Sequence, residues 1–207
     1  MNWWKALLII ALLAGGVWLF RAITTPAPGT EVTDQGRTHV SAEEVAKTVY
    51  KSNPPASGPH LVTWAKPGIY TEPQQEGELI HSLEHGYVVI HYNCGVHLRS
   101  SLFVPRAYAH EEGGTESSLS ASLNSTPLAT GSAINETDAC KNLQKQLSDV
   151  ATNKRLWKLI VVPRPQLDTT IALTAWDHID KFDTFDAKRI EAFIDYWRDH
   201  GPEKTME

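Results

Sequence analysis

The segment spanning residues 79–94 most constrains the fold, because a helical pattern changes to a strand pattern within it. Its first half carries His81, Glu84 and His85, and residues three or four apart lie on the same face of a helix. A glycine then interrupts the helix, and residues 87–92 are β-branched or aromatic, as is typical of strands. The segment therefore predicts a helix end that leads directly into a sheet, with its polar side chains at the junction.

The remaining elements predict a small domain of the α+β class. Two mostly apolar runs, 157–163 and 170–176, predict central strands. Helices are predicted after residue 137 and over 183–200, the second ended by a Gly-Pro pair. Because strands and helices alternate only loosely, we expect one short β-sheet with helices packed on it.

The N-terminal segment, residues 1–24, predicts a single transmembrane helix that acts as a signal anchor. Residues 6–20 carry no polar side chain, and Lys5 and Arg21 flank them with tryptophans nearby. A cleaved signal peptide is the alternative. Both interpretations place the rest of the chain outside the cytoplasm, so we expect a single-pass protein of the cell membrane with an extracytoplasmic domain.

Composition divides the rest of the chain into three predicted parts. Residues 25–37 are polar and punctuated by proline and glycine, which favours a linker. Residues 38–207 form the predicted domain. Within it, residues from about 109 to 135 are dominated by Ser, Thr, Gly, Ala and Asn without an apolar period, and predict a disordered insertion.

Charge narrows the classes of partner. The formal net charge is -5 and no dense cluster of Lys and Arg is present, whereas nucleic-acid grooves need a basic stripe. The sequence therefore predicts the membrane as a partner, through the N-terminal helix, and no nucleic acid. It identifies no protein partner.

Histidines carry the strongest sign of chemistry. The chain has nine, and more than half of them lie between residues 60 and 97. His81 and His85 share a helical face, a proline-rich loop fixes His60, and His39 precedes the first helix of the domain. With Glu84 these residues form a candidate metal site. The alternative is a set of hydrogen-bonded structural histidines.

The ligand types favour zinc or copper(II), because both bind imidazole and carboxylate well. The chain has only two methionines, Met1 and Met206, which argues against a thioether site for copper(I).

The sequence His81-x-x-Glu84-His85 formally matches the inverted zinc-peptidase motif, in which the glutamate is the general base. Such a motif needs a long helix, whereas here the glycine and the strand follow at once. A metal-dependent hydrolase with Glu84 as its catalytic base is therefore the second hypothesis, behind metal binding alone.

The two cysteines predict a disulfide between Cys94 and Cys140. Cys94 lies just after a predicted strand and Cys140 begins a predicted helix, so a bridge would close both ends of the insertion. A thiolate metal ligand is the alternative.

Five blocks of the sequence resemble a family catalogued only as domain of unknown function three-one-zero-five. They are Asn53-Pro54-Pro55-x-Ser57-Gly58-Pro59-His60, Trp64-Ala65-x-x-Gly68-x-Tyr70, His81-Ser82-Leu83-Glu84-His85-Gly86, Thr174-Ala175-Trp176 and Gly201-Pro202-Glu203. The resemblance covers about residues 38–204 without the insertion. It implies an N-terminal membrane anchor and one extracytoplasmic domain, but no activity.

These observations leave three hypotheses for the domain. The first is metal binding through His60, His81 and His85, supported by Glu84 and His39. The second is the metal-dependent hydrolase. The third is a non-catalytic envelope interaction module in which the histidine cluster is structural.

Overall fold

The computed structural model describes residues 3–24, 26–95 and 138–205. In chain order the elements are α1 Trp3–Thr24, β1 Thr30–Glu31, α2 Ala42–Lys47, β2 Gly68–Ile69, α3 Glu76–Glu84, β3 Val88–Tyr92, α4 Asp138–Asn153, β4 Leu159–Pro163, β5 Ile171–Ala175, β6 His178–Phe182 and α5 Ala187–Trp197. The predicted insertion lies outside the described residues.

One mixed sheet organises the domain. Its strand order is β1-β6-β5-β3-β4-β2, with β3 parallel to β4 and antiparallel to β5. Every residue of β3, β4 and β5 is buried, which explains why their sequences are mostly apolar on both faces. The predicted α+β class, with a short sheet and packed helices, is confirmed.

Two hydrophobic clusters cover the two faces of the sheet. On one face α4 and α5 pack through residues such as Leu147, Ile190 and Phe193. On the other face α3 packs through residues such as Ile80 and Leu83. Successive residues of β3 alternate between the clusters, so the helix before β3 and the helices after it lie on opposite faces. This arrangement keeps the polar end of α3 on the side away from α4 and α5.

The predicted elements are present, and the structure adds three strands, β1, β2 and β6, that were not predicted. The strands predicted over 157–163 and 170–176 and the C-terminal helix are present with shorter bounds. β6 was not predicted, because His178, Asp180 and Lys181 give it a polar sequence. Asp180 is nevertheless buried, and its carboxylate accepts two hydrogen bonds from Arg189 of α5, at 2.8 and 2.6 Å.

The predicted linker over 25–37 needs a correction, since part of it belongs to the domain. Its residues Thr30 and Glu31 form β1, which pairs antiparallel with β6 at the sheet edge. Just before β1, the indole of Trp197 donates a hydrogen bond of 2.8 Å to the carbonyl of Pro28. The proline and glycine content of this segment correctly predicted an irregular backbone. Its pairing along the sheet edge could not be predicted from residue composition.

The N-terminal segment forms the helix α1. Within the described parts of the chain, no helix combines the length and the apolar character that crossing a membrane requires.

The predicted disulfide between Cys94 and Cys140 is present. It joins the end of β3 to the first turn of α4 across a sequence separation of 46 residues. Both cysteines are buried in the cluster beneath α4 and α5, so neither thiol serves as a metal ligand.

The C-terminal segment, residues 199–205, lies directly against the turn between α3 and β3. Gly86 adopts a φ of 81°, and a Cβ there would lie 2.8 Å from the Cα of Asp199. A Cβ on Gly201 would overlap the carbonyl oxygen of Glu84 and the backbone nitrogen of Gly86. The two backbones can therefore approach this closely only because both residues are glycines.

This contact predicts a large effect of Gly201→Ala. The added methyl group must push the C-terminal segment away from the turn, so we expect the free energy of unfolding to fall by at least about 2 kcal/mol. Urea denaturation of the purified protein measures it. Gly68→Ala is the matched control, because its Cβ would meet only Tyr70 at 3.5 Å. Equal stability losses in the two variants would contradict the account.

Candidate metal site

The end of α3 contributes three buried polar side chains. His81 and Glu84 lie in the final turn, and His85 is the C-cap. The buried ammonium of Lys158 donates a hydrogen bond of 2.9 Å to the carbonyl of His85, one of the helix's last acceptors. Gly86 then reverses the chain into β3, as the sequence predicted.

Backbone pairing brings two further histidines to this turn. His39 and His60 form an isolated parallel bridge. His60 donates its backbone N–H to Thr38 at 3.0 Å, and Val40 donates to the carbonyl of His60 at 2.8 Å. The proline-rich loop that the sequence placed before His60 therefore ends in a fixed strand-like pairing.

Four of these residues form what we call the inner group: His39, His60, His81 and Glu84. One ligand atom from each lies within 4.8 Å of all the others, so the group could hold a metal ion. The Glu84 Oε2 atom lies 3.0 Å from the Nε2 atom of His60 and 3.9 Å from that of His39. Two atoms bound to one tetrahedral zinc lie roughly 3.4 Å apart, within the range of these contacts.

Backbone carbonyls set the tautomers of two inner histidines. The Nδ1 atom of His60 lies 2.8 Å from the carbonyl oxygen of Gly58, and that of His81 lies 2.7 Å from that of Leu61. Because a carbonyl only accepts, each Nδ1 carries the proton. In a neutral ring this leaves the lone pair on Nε2, which is how proteins orient metal-binding histidines.

With this tautomer, the contact between His60 and Glu84 needs a further proton or a metal ion. Both nitrogens of His60 face oxygen atoms, and its ring is 0% exposed. A neutral ring would turn its Nε2 lone pair towards a carboxylate. The contact is favourable if a proton lies between the two atoms, or if a metal ion binds both of them.

Electrostatics favour an unprotonated His81. Burial lowers the pKa of His81, and the neighbouring histidines His85, His60 and His39 lower it further, while the hydrogen bond to Leu61 acts in the opposite direction. A neutral imidazole is the form that binds metal.

A second set, which we call the outer group, overlaps the first: His81, His85 and Glu203. The Nε2 atoms of His81 and His85 lie 3.0 Å apart, and Glu203 Oε2 lies 3.7 Å from His85 Nε2. Glu203 arrives on the C-terminal segment, where its backbone N–H donates a 3.0 Å hydrogen bond to the Glu84 carbonyl. The ring of Trp64 packs against both histidines.

The structure therefore divides the predicted ligand set. It brings His39, His60, His81 and Glu84 together, but His85 belongs to the outer group, with His81. The sequence did not single out Glu203 as a ligand. The Gly201-Pro202-Glu203 block of the family resemblance marked the position without indicating its role.

His91 lies apart from both groups. It is buried in β3, where its Nε2 atom lies 3.0 Å from the hydroxyl oxygen of Thr174 on β5. Burial lowers the pKa of His91 well below its ordinary 6.5, and the positive charge of Arg164 acts in the same direction.

The buried His91 predicts an acid-sensitive stability. At a pH between 6.5 and the lowered pKa of His91 in the folded protein, the unfolded chain binds a proton at this residue and the folded protein does not. The free energy of unfolding therefore falls as the pH drops below 6.5. One such group changes the free energy of unfolding by up to about 1.4 kcal/mol per pH unit. Denaturant unfolding across this range should show a shallower pH dependence for His91→Gln. Thr174→Val keeps the buried ring and should keep the slope. An unchanged slope in His91→Gln would contradict the assignment.

Comparison with known proteins agrees with the sequence resemblance. The model of one protein family, described as "Protein of unknown function (DUF3105)", matches residues 39–112 and 133–207. No curated protein and no solved structure matches the chain. The family match includes every residue of the inner and outer groups.

Proposed function

The chain belongs to the DUF3105 family, whose function is unknown, and on this premise we propose that its domain binds one divalent transition-metal ion, zinc or copper(II), in the inner group. The observation that carries the proposal is the pair of Nδ1–carbonyl hydrogen bonds at His60 and His81. In the neutral rings these bonds leave a lone pair on each Nε2 atom. The Nε2 atom of His60 lies 3.0 Å from the buried carboxylate of Glu84, and a ligand atom of His81 lies within 4.8 Å of that carboxylate. Three imidazoles and one carboxylate form a donor set suited to either metal.

The main competing explanation for the cluster is a proton in place of the metal. An imidazolium of His60 paired with Glu84 would make the cluster a structural ion pair, as in the interaction-module hypothesis. The competing explanation accounts for that one contact. It gives no reason for the half-exposed His39 to lie beside the same carboxylate, and it leaves His81 to be explained by its contacts with Leu61 and His85. A metal ion accounts for all four positions.

Catalysis is a separate question from binding. A hydrolase needs a general base beside metal-bound water. In the proposed site Glu84 is a ligand that also contacts His60, and its second oxygen lies 3.9 Å from the guanidinium of Arg37. No observation favours a free base at this position, so the proposal is limited to metal binding.

We also propose that the domain works on the extracytoplasmic side of the cell membrane, attached by its N-terminal segment. The disulfide between Cys94 and Cys140 supports this location, because such bonds persist mainly in oxidising compartments. The apolar run of residues 6–20 supports the attachment.

Metal binding is tested by titrating the purified, metal-free protein with zinc and with copper(II). We expect one ion per chain, and we expect His60→Ala and Glu84→Gln each to weaken binding by at least about 100-fold, because each removes a direct ligand. His91→Gln is the matched control, a buried histidine outside both groups, and should leave the affinity unchanged.

Two results would contradict the proposal. One is the absence of stoichiometric metal in the wild-type protein. The other is equal affinity in the wild-type protein and the double variant His60→Ala/Glu84→Gln. Thermal unfolding of each variant verifies that it is folded.

A further inference from the structure

The outer group adds a second position for a cation beside the inner one. Its three members bring one ligand atom each to within 4.8 Å of the others. His85 is buried, whereas the side chain of Glu203 is 51% exposed. The inner group combines the fully buried His60 with the half-exposed His39. Each position therefore reaches solvent through a different side chain, Glu203 in the outer group and His39 in the inner group.

The C-terminal segment holds Glu203 in place from both sides. The ammonium of Lys158 bonds the carboxylate of Asp199 at 2.6 Å and the carbonyl of Thr205 at 3.3 Å. Between these points the Gly201 backbone packs on the turn at Gly86. Glu203 is thus presented by a segment fixed at each end, which pre-positions its carboxylate beside His85.

His81 connects the two positions and limits their occupancy. Its Nδ1 proton is committed to the carbonyl of Leu61, so only Nε2 has a lone pair to offer. An imidazole nitrogen with one lone pair binds one metal ion. The inner and outer groups consequently cannot both bind a metal through His81 at the same time.

We infer that the chain holds a single divalent transition-metal ion that exchanges between the inner group and the outer group while His81 remains bound. This inference rests on the proposed function. In the inner position the other ligands are His39, His60 and Glu84, and in the outer position they are His85 and Glu203. The exposed carboxylate of Glu203 opens the outer position to solvent, so an ion bound there can be received from, or passed to, an external ligand.

Each ligand set is suited to copper(II), which binds imidazole and carboxylate together. An ion in the inner position has up to three imidazole ligands, whereas in the outer position it has two. The number of bound nitrogens alters the electron paramagnetic resonance spectrum of copper(II), so the two positions are distinguishable.

The experiment titrates the full chain with increasing amounts of copper(II), and the copper spectrum is recorded in frozen solution. The wild-type protein should bind one copper ion and show mainly the inner signal. Glu84→Gln, which weakens the inner position, should show the outer signal instead, and the double variant Glu84→Gln/Glu203→Gln should lose that signal as well. His81→Ala should remove both signals. Glu72→Gln, which changes an exposed glutamate outside both groups, is the control and should leave the wild-type spectrum unchanged.

Three outcomes would overturn the inference. If the wild-type protein binds two copper ions, the positions are independent. If Glu84→Gln and the double variant Glu84→Gln/Glu203→Gln give the same spectrum, the outer position is not used, while the proposed function stands. If it binds no copper and no zinc, the proposed function fails and the inference with it.

Discussion

The contact between the turn at Gly86 and the backbone of Gly201 is the constraint on which the candidate site depends. This turn lies where α3 ends and presents His81, Glu84 and His85, and β3 begins directly after it, paired with β4 and β5. The contact also brings the C-terminal segment against the same turn. One short stretch of backbone therefore positions ligands from the middle and from the end of the chain.

The second determinant of the site is an excess of hydrogen-bond acceptors among its buried side chains. Glu84 is 4% exposed and His60 is completely buried. Burying a carboxylate is costly unless a positive charge compensates it. The guanidinium of Arg37 is half exposed at 3.9 Å and so compensates weakly. The remaining compensation comes from a proton at the contact between Glu84 and His60 or from a metal ion, and this choice decides between a structural and a functional cluster.

Local sequence patterns predicted the core of this arrangement. The change from helix to strand around Gly86, the buried strands and the disulfide all follow from periodicity and composition over short stretches. The proline-rich loop before His60 indicated a rigid approach to the site. The residues that determine these features are neighbours in sequence, or their residue types alone indicate the structure.

Long-range backbone contacts could not be predicted in the same way. The bridge between His39 and His60 and the docking of β1 on β6 depend on edges formed by distant segments. The place of Glu203 depends on two glycines that touch only after folding. His85 was assigned to the same ion as His60, because helical spacing predicts a shared face but not which neighbours lie on each side of it.

Anomalous X-ray diffraction from crystals of the zinc-loaded protein tests the central claim most directly. The account predicts a zinc peak within about 2.3 Å of the Nε2 atoms of His60 and His81 and of a carboxylate oxygen of Glu84. A crystal grown with zinc in which His60 and Glu84 contact each other directly, with no peak between them, would contradict it and identify the cluster as a structural ion pair.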